Sequence, residues 1–265
     1  MLPRIIVTRP ARQAGRWVRE LTASGVDACA LPLIDIVPEA PSDALTGARE
    51  GLAQYDAAMF VSANAVRGFF LPSPARGQGR RVKTPWPAME TRAWSTGPGT
   101  LRALHDAGWP SERIDAPPPD AAQFDSEALW ARVRGQIRPG LRVLIVRGGD
   151  ATGALAGRHW LAEQLRAAGA AVELVVAYRR AAPVLDAAQR ALAEAAATDG
   201  SLWLFSSSEA VANLRAALPG QRWPVAAALA THPRIAQAAR DAGFGVVREA
   251  PPALDALVAS IKSGA

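Results

Sequence analysis

The chain has 265 residues, 49% of them hydrophobic and 20% charged, which excludes a disordered polypeptide and allows one large domain or two ordinary ones. Its net charge of +6, with an isoelectric point near 10.5, comes almost wholly from arginine, since Lys83 and Lys262 are the only lysines. No run of five basic residues and no basic stretch interleaved with aromatics occurs, so no nucleic-acid partner is expected, whereas an acidic small molecule suits the charge.

Cys29 is the single cysteine, so no intramolecular disulfide can form, and this fits a reducing compartment. The start, MLPRIIVTRPARQ, lacks the long apolar centre of a signal peptide. No apolar run reaches the roughly 18 residues needed for a membrane span. A cytoplasmic protein with no membrane partner is expected.

In chain order, short apolar runs at 4–8, 27–37, 57–61, 92–95, 142–147, 171–178, 202–206 and 225–229 read as strands. Each is followed by a segment with helical spacing, such as Trp17, Val18 and Leu21 in the first. This alternation predicts an α/β fold with parallel sheets flanked by helices. Residues 71–88, rich in Pro, Gly and Arg, break the pattern and read as a mobile surface loop. Residues 116–120 (APPPD) read as a rigid turn before a helix starting near Asp125 or Ser126.

The chain also repeats itself. RIIVTRP at 4–10 matches RVLIVRG at 142–148, pairing Arg9 with Arg147. The helix around Trp17 and Gly25 matches that around Trp160 and Gly169. FVSANAV at 60–66 matches FSSSEAV at 205–211, and STGPGTLRALHDAGW at 95–109 matches ATHPRIAQAARDAGF at 230–244. Four blocks in one order imply two copies of one α/β unit, facing each other as two similar domains.

Ligands of open parallel sheets sit outside the carboxyl ends of the strands. That rule selects Arg9 with Arg147, Ser62 and Asn64 with Ser206, Ser207 and Ser208, and Gly97 and Thr100 with Thr231 and His232, together with the strand ends near Asp35 and Tyr178. Hydroxyls and helix N-terminal amides suit carboxylates or phosphates. The same hydroxyls also suit plain helix caps. GPGTLR at 97–102 has Arg102 where a dinucleotide fingerprint needs glycine, and GGDATG at 148–153 lacks the Lys-Ser/Thr of a P-loop. His105, His159 and His232 lie far apart, so no metal-ligand spacing exists. His105 and His159 read as surface or helix-packing residues.

The order of TRP at 8–10, YDAAMFVSANAV at 55–66, STGPGTLRAL at 95–104, RVLIVRGG at 142–149, LRAAGAAVELVVAYRR at 165–180, LFSSSEAV at 204–211 and the 230–244 block resembles the uroporphyrinogen-III synthase family. The resemblance covers nearly the whole chain. It implies two flavodoxin-like domains joined by a two-stranded connector, with the active site in the cleft between them. One domain would be 1–37 with 181–265, the other 38–180, and the connector strands would lie near 31–38 and 174–183.

The resemblance further implies a cyclising hydro-lyase of porphyrin (haem) biosynthesis that turns hydroxymethylbilane into uroporphyrinogen III, inverting ring D. No cofactor or metal is implied. The chain would act as a monomer, with transient contact with the preceding pathway enzyme. The family's functional tyrosine matches Tyr178, whose repeat counterpart is Ile34, so the shared fold does not impose it. A phenol is protonated near neutrality and can pass a proton to a departing hydroxyl. The family's glycine-loop threonine matches Thr100, while Ile235 replaces its second-half counterpart, with Thr231 nearby. Two rivals remain at this point: a non-catalytic two-domain binder of a small polycarboxylate, and a nucleotide-dependent α/β enzyme.

Overall fold

The structure, a computed structural model, describes residues 2–40, 42–70, 90–121, 123–154 and 159–263. The expected loop at 71–88 lies outside the described residues. Strands are β1 (Ile5–Val7), β2 (Ala28–Ala30), β3 (Asp35–Pro38), β4 (Ala57–Phe60), β5 (Arg92–Ser95), β6 (Ile114–Asp115), β7 (Arg142–Gly149), β8 (Ala171–Ala181), β9 (Leu202–Phe205), β10 (Ala227–Ala230) and β11 (Val246–Glu249). Helices are α1 (Ala11–Ala23), α2 (Asp43–Glu50), α3 (Ala63–Phe70), α4 (Pro98–Asp106), α5 (Ser126–Val133), α6 (Trp160–Ala167), α7 (Ala187–Ala195), α8 (Ser208–Ala217), α9 (Pro233–Asp241) and α10 (Leu254–Ser263). The chain divides into two compact units, Met1–Asp35 with Ala181–Ala265, and Ile36–Arg180.

The first unit holds a sheet in the order β2-β1-β9-β10-β11, paired in parallel throughout. Its inner strands β1, β9 and β10 are buried on both faces, which is why they read as unbroken apolar runs. Ile5, Val7, Leu202 and Leu204 pack with Trp17 and Leu21 of α1 and Leu257 and Ile261 of α10. On the strands, Ile6, Trp203 and Phe205 alternate with these residues and are equally buried, with Trp203 against Trp223 and Phe244.

The second unit holds a sheet in the order β3-β8-β7-β4-β5-β6. Phe60, Phe69, Leu104, Leu144 and Val146 fill one core, and Met59, Trp94, Leu129, Val143, Ile145 and Leu165 fill another. In repeat order the first sheet runs 2-1-3-4-5 and the second runs the same with β3 added outside β8, so that β1 and β7 are the equivalent inner strands. Gly25, Gly169, Gly108 and Gly243 end the matching helices at φ +79°, +86°, +86° and +90°. Only glycine takes that left-handed turn without strain, so the repeat preserves it.

Some expected boundaries are corrected. The run at 27–37 is not one strand. Leu31 and Leu33 still bond to the end of β1, through Val7 and Thr8 carbonyls at 3.0 and 3.2 Å, and the chain then passes into β3 beside β8. Apolar character continues through 31–34 because Leu31, Leu33 and Ile34 are buried, so hydrophobicity alone could not show the break. β6 and β11 are short, partly polar edge strands that no apolar run marks. The helix after 116–120 begins at Ser126, capped by the Asp125 carboxylate accepting from the Ala128 amide at 2.8 Å.

Two contacts fix the last turn of α3. Arg49 donates to the Phe69 and Gly68 carbonyls at 2.8 and 2.7 Å, tying α2 to the carboxyl end of α3. Gly68 also lets α3 press on β8: a Cβ there would stand 2.3 Å from the Ala177 carbonyl oxygen. Backbone cannot yield as a side chain can. Gly68→Ala should therefore destabilise the protein by roughly 1–3 kcal/mol, read as an earlier thermal melt. An unchanged melt would refute this close approach.

Candidate active site

In the Ile36–Arg180 unit, the candidate residues gather at the carboxyl ends of β8, β7, β4 and β5. Tyr178 lies on β8 with 7% of its surface exposed. Its ring rests on Gly148, where an added Cβ would stand 2.5 Å from the ring's Cζ. A register shift between Arg147 and Gly148 sets Gly148 opposite Tyr178. The Tyr178 hydroxyl is 3.2 Å from Ser62 Oγ, and either can donate. Ser62 Oγ also accepts from the Ala65 amide at 3.1 Å. Ser62 is thus both a helix cap and the phenol's partner, because a hydroxyl can accept and donate together.

Arg147 is 6% exposed, and its Nη1 is 3.4 Å from His159 Nδ1. Burial pushes its guanidinium below the ordinary value, with the nearby Tyr178 opposing the shift. One strand further, Thr96 Oγ1 donates to the Val61 carbonyl at 3.2 Å, tying the ends of β5 and β4 together. Gly97 is extended, and its amide donates to Ser95 Oγ at 3.3 Å. Asn64 Oδ1 accepts from Arg67 at 3.4 Å. Thr100 is turned inward, 5% exposed, at the third position of α4. Ile235 occupies the same position of α9 and is also buried, at 6%. An apolar side chain therefore suits that spot, and little of Thr100 remains for a ligand.

The other unit carries Arg9, Ser206, Ser207, Ser208, Thr231 and His232 at the carboxyl ends of β1, β9 and β10. Ser207 Oγ accepts from the Glu209 amide at 3.2 Å, and His232 Nδ1 accepts from the Arg234 amide at 3.1 Å. With Nδ1 engaged as acceptor, the neutral imidazole carries its proton on Nε2, a donor for a carboxylate. Ser208 opens α8, Ser206 precedes the cap, and the Thr231 amide donates to the Phe205 carbonyl at 3.1 Å. Arg9 folds back on α1: its guanidinium carbon lies 4.2 Å above the Trp17 ring and its Nη1 is 3.5 Å from Gln13. Desolvation, with Arg16 nearby, lowers its pKa to about 10, so it keeps its charge at neutral pH.

GGDATG closes on itself. Asp150 Oδ1 accepts from the Thr152 amide, the Thr152 hydroxyl and the Ala154 amide at 2.8, 2.7 and 3.1 Å. These bonds, the Thr152 hydroxyl foremost, hold the Asp150 carboxyl below the usual range. The protein's own carboxylate thus takes the place a phosphate would need, which counts against nucleotide binding there. Its first glycine is instead the seat of Tyr178, a role the motif reading missed. The contact of His159 with Arg147 was also missed, since the two are twelve residues apart with no helical spacing between them.

Two cavities, of about 750 and 710 Å³, open elsewhere, at the amino ends of the strands. Their guanidinium and carboxylate groups are largely paired with each other, as in Arg4–Asp27, Arg92–Asp115 and Arg138–Asp56. The carboxyl-end loops, where hydroxyls and helix N-terminal amides gather, remain the candidate site that the sheet topology selects. Among the described residues no three His, Cys, Asp or Glu side chains are grouped to hold a metal ion, and no helix is long and apolar enough to cross a membrane.

Parallel sheets of 2-1-3-4-5 order, with polar loops at their carboxyl ends, define a two-unit α/β protein of flavodoxin-like topology. The family model of uroporphyrinogen-III synthase HemD matches residues 15–259. The chain belongs to the uroporphyrinogen-III synthase family, cyclising lyases of haem and tetrapyrrole biosynthesis. It is 31% identical over 193 residues to the uroporphyrinogen-III synthase of Salmonella typhimurium, covering 71% of this chain and 69% of that one. With the Chlorobaculum parvum enzyme it shares 30% over 186 residues, covering 70% and 67%. The solved uroporphyrinogen-III synthetase of Helicobacter pylori superposes with a TM-score of 0.61 at 13% identity, covering all of both chains. A mutant uroporphyrinogen III synthase from Thermus thermophilus gives 0.52 at 19%, covering 98% of each. At such identities these two structures speak for the fold alone.

Proposed function

We propose that this chain closes hydroxymethylbilane to uroporphyrinogen III with Tyr178 as proton donor and the carboxyl-end loops as carboxylate holders. The observation that carries the reading is the phenol of Tyr178 seated on Gly148, bonded to Ser62 and beside the Arg147 guanidinium. In the first step the phenol O–H passes its proton to the terminal hydroxymethyl group. The C–O bond breaks, water leaves, and an azafulvene cation forms. Arg147 and the Ser62 O–H stabilise the phenolate left behind. The substituted carbon of ring D then attacks the exocyclic carbon to give a spiro intermediate. Fragmentation and re-closure invert the ring, and the proton lost on re-aromatisation restores the phenol. The net change is loss of one water.

The uncatalysed closure gives the symmetric type I isomer, so holding the chain in shape decides the product. The substrate's eight carboxylates suit Asn64, Ser206, Ser208, Thr231, His232 and the exposed first-turn amides, which have no intrahelical acceptor. The lone Cys29 supports a reducing, cytoplasmic setting.

The deciding experiment is a coupled assay with hydroxymethylbilane that resolves type I from type III product. Type III formation supports the synthase reading, and binding without turnover supports a polycarboxylate-binding protein instead. Product affinity should also fall several-fold as salt rises from about 0.1 to 1 M, because the Debye length shrinks from about 10 to about 3 Å. Salt-independent binding would count against carboxylate recognition at these loops.

A further inference from the structure

The loops of the Ile36–Arg180 unit offer hydroxyls, amides and a guanidinium, which suit carboxylates. The flat apolar rings between those carboxylates need something else. Phe124 is 43% exposed, the one aromatic among the exposed large apolar side chains of the described residues. It lies in the connection from the carboxyl end of β6 to α5, one residue before the capping Asp125. A residue just before the cap commonly packs onto the fourth helical position, here Leu129. Leu129 is fully buried, and the Phe124 side chain lies over Gly97. Its Cβ, Cγ and Cδ1 lie 3.0, 3.5 and 3.7 Å from where a Cβ on Gly97 would stand. The absent side chain at Gly97 is thus what lets the Phe124 side chain approach the loop after β5.

The sheet gives this residue its distance from the reacting end. From β8, which bears Tyr178, to β5, which leads to Gly97, the order β8-β7-β4-β5 makes three strand spacings. At about 4.8 Å each these sum to about 14 Å, a separation that suits a later ring of a linear tetrapyrrole whose terminal hydroxymethyl group is at Tyr178.

We propose that Phe124 is a positioning residue whose ring packs on the face of a pyrrole remote from the hydroxymethyl end, holding the substrate in register along the strand ends. This rests on the synthase reading. The test compares wild type, Phe124→Ala and Phe124→Tyr for kcat, KM, isomer ratio and thermal melt. Phe124→Ala should raise KM about three- to tenfold, the range of one aromatic contact, and release more type I isomer, with the melt nearly unmoved. Phe124→Tyr should restore KM, because it keeps the ring. Unchanged KM in Phe124→Ala overturns the proposal while leaving the synthase reading intact. An Ala variant that melts early at unchanged KM overturns it too, by making Phe124 structural, and so does a raised KM that Tyr does not rescue. Wild-type protein inert toward hydroxymethylbilane overturns both readings.

Discussion

Replacing Tyr178 with Phe is expected to slow type III formation by roughly 10²-fold, the lower end for loss of a general acid, while the protein melts within a few degrees of wild type. The substitution keeps the ring, its burial and its seat on Gly148. It removes one hydroxyl bonded at 3.2 Å to Ser62. A bond of that kind contributes about 0.5–1.5 kcal/mol net, and Ser62 keeps its other bond, to the Ala65 amide. Stability should therefore hardly change while chemistry suffers. Water could stand in for the phenol in part, which sets the estimate at the low end. Substrate released unconverted closes spontaneously, so type I isomer should increase. The measurement is type III rate beside a thermal melt on one preparation. Near-normal turnover in the folded variant would remove Tyr178 from the mechanism and leave positioning as the main source of catalysis.

Gly148→Ala should slow turnover almost as much through geometry alone. The new Cβ would stand 2.5 Å from Tyr178 Cζ and 2.8 Å from its hydroxyl oxygen. Carbon atoms cannot approach so closely, and the ring tip is the part free to move. It should swing off Ser62 and carry the proton donor out of place, and a misplacement of about 1 Å can lower a rate by as much as 10²-fold. Some overpacking cost remains, about 1–3 kcal/mol, so the melt should fall more than for Tyr178→Phe. The double variant Gly148→Ala with Tyr178→Phe gives the sharper result. If glycine acts through the hydroxyl, the double variant turns over about as slowly as Tyr178→Phe alone, because the two changes act on one unit. Multiplying effects would mean that Gly148 serves the site in some other way.

Several sequence readings gained a physical meaning only through their neighbours. Ser62 and Ser207 read equally well as caps or as ligand contacts. Both are caps, yet only Ser62 meets a second functional group, the phenol 116 residues away. Arg9 and Arg147 are partners in the repeat, but Arg9 lies over Trp17 whereas Arg147 is buried beside Tyr178 and His159. Identical residues at matching places diverge because the surrounding side chains differ. Thr100 and Ile235, which differ in sequence, converge on one buried position.

By itself, the sequence determined the α/β class, the repeat and the family. A strand buried on both faces must be apolar throughout, and a helix that turns back onto a sheet needs glycine at its end. Local physics of this kind leaves local marks, such as RIIV, RVLIV and Gly25 with Gly169. Tertiary structure alone decided that the run at 27–37 divides between two sheets, that GGDATG shuts on its own aspartate, and that Gly148 lies under Tyr178. Each of these depends on strand order, on register and on one shift between Arg147 and Gly148. Such a shift changes which residue stands opposite which without altering the apolar pattern, so only the folded chain displays it.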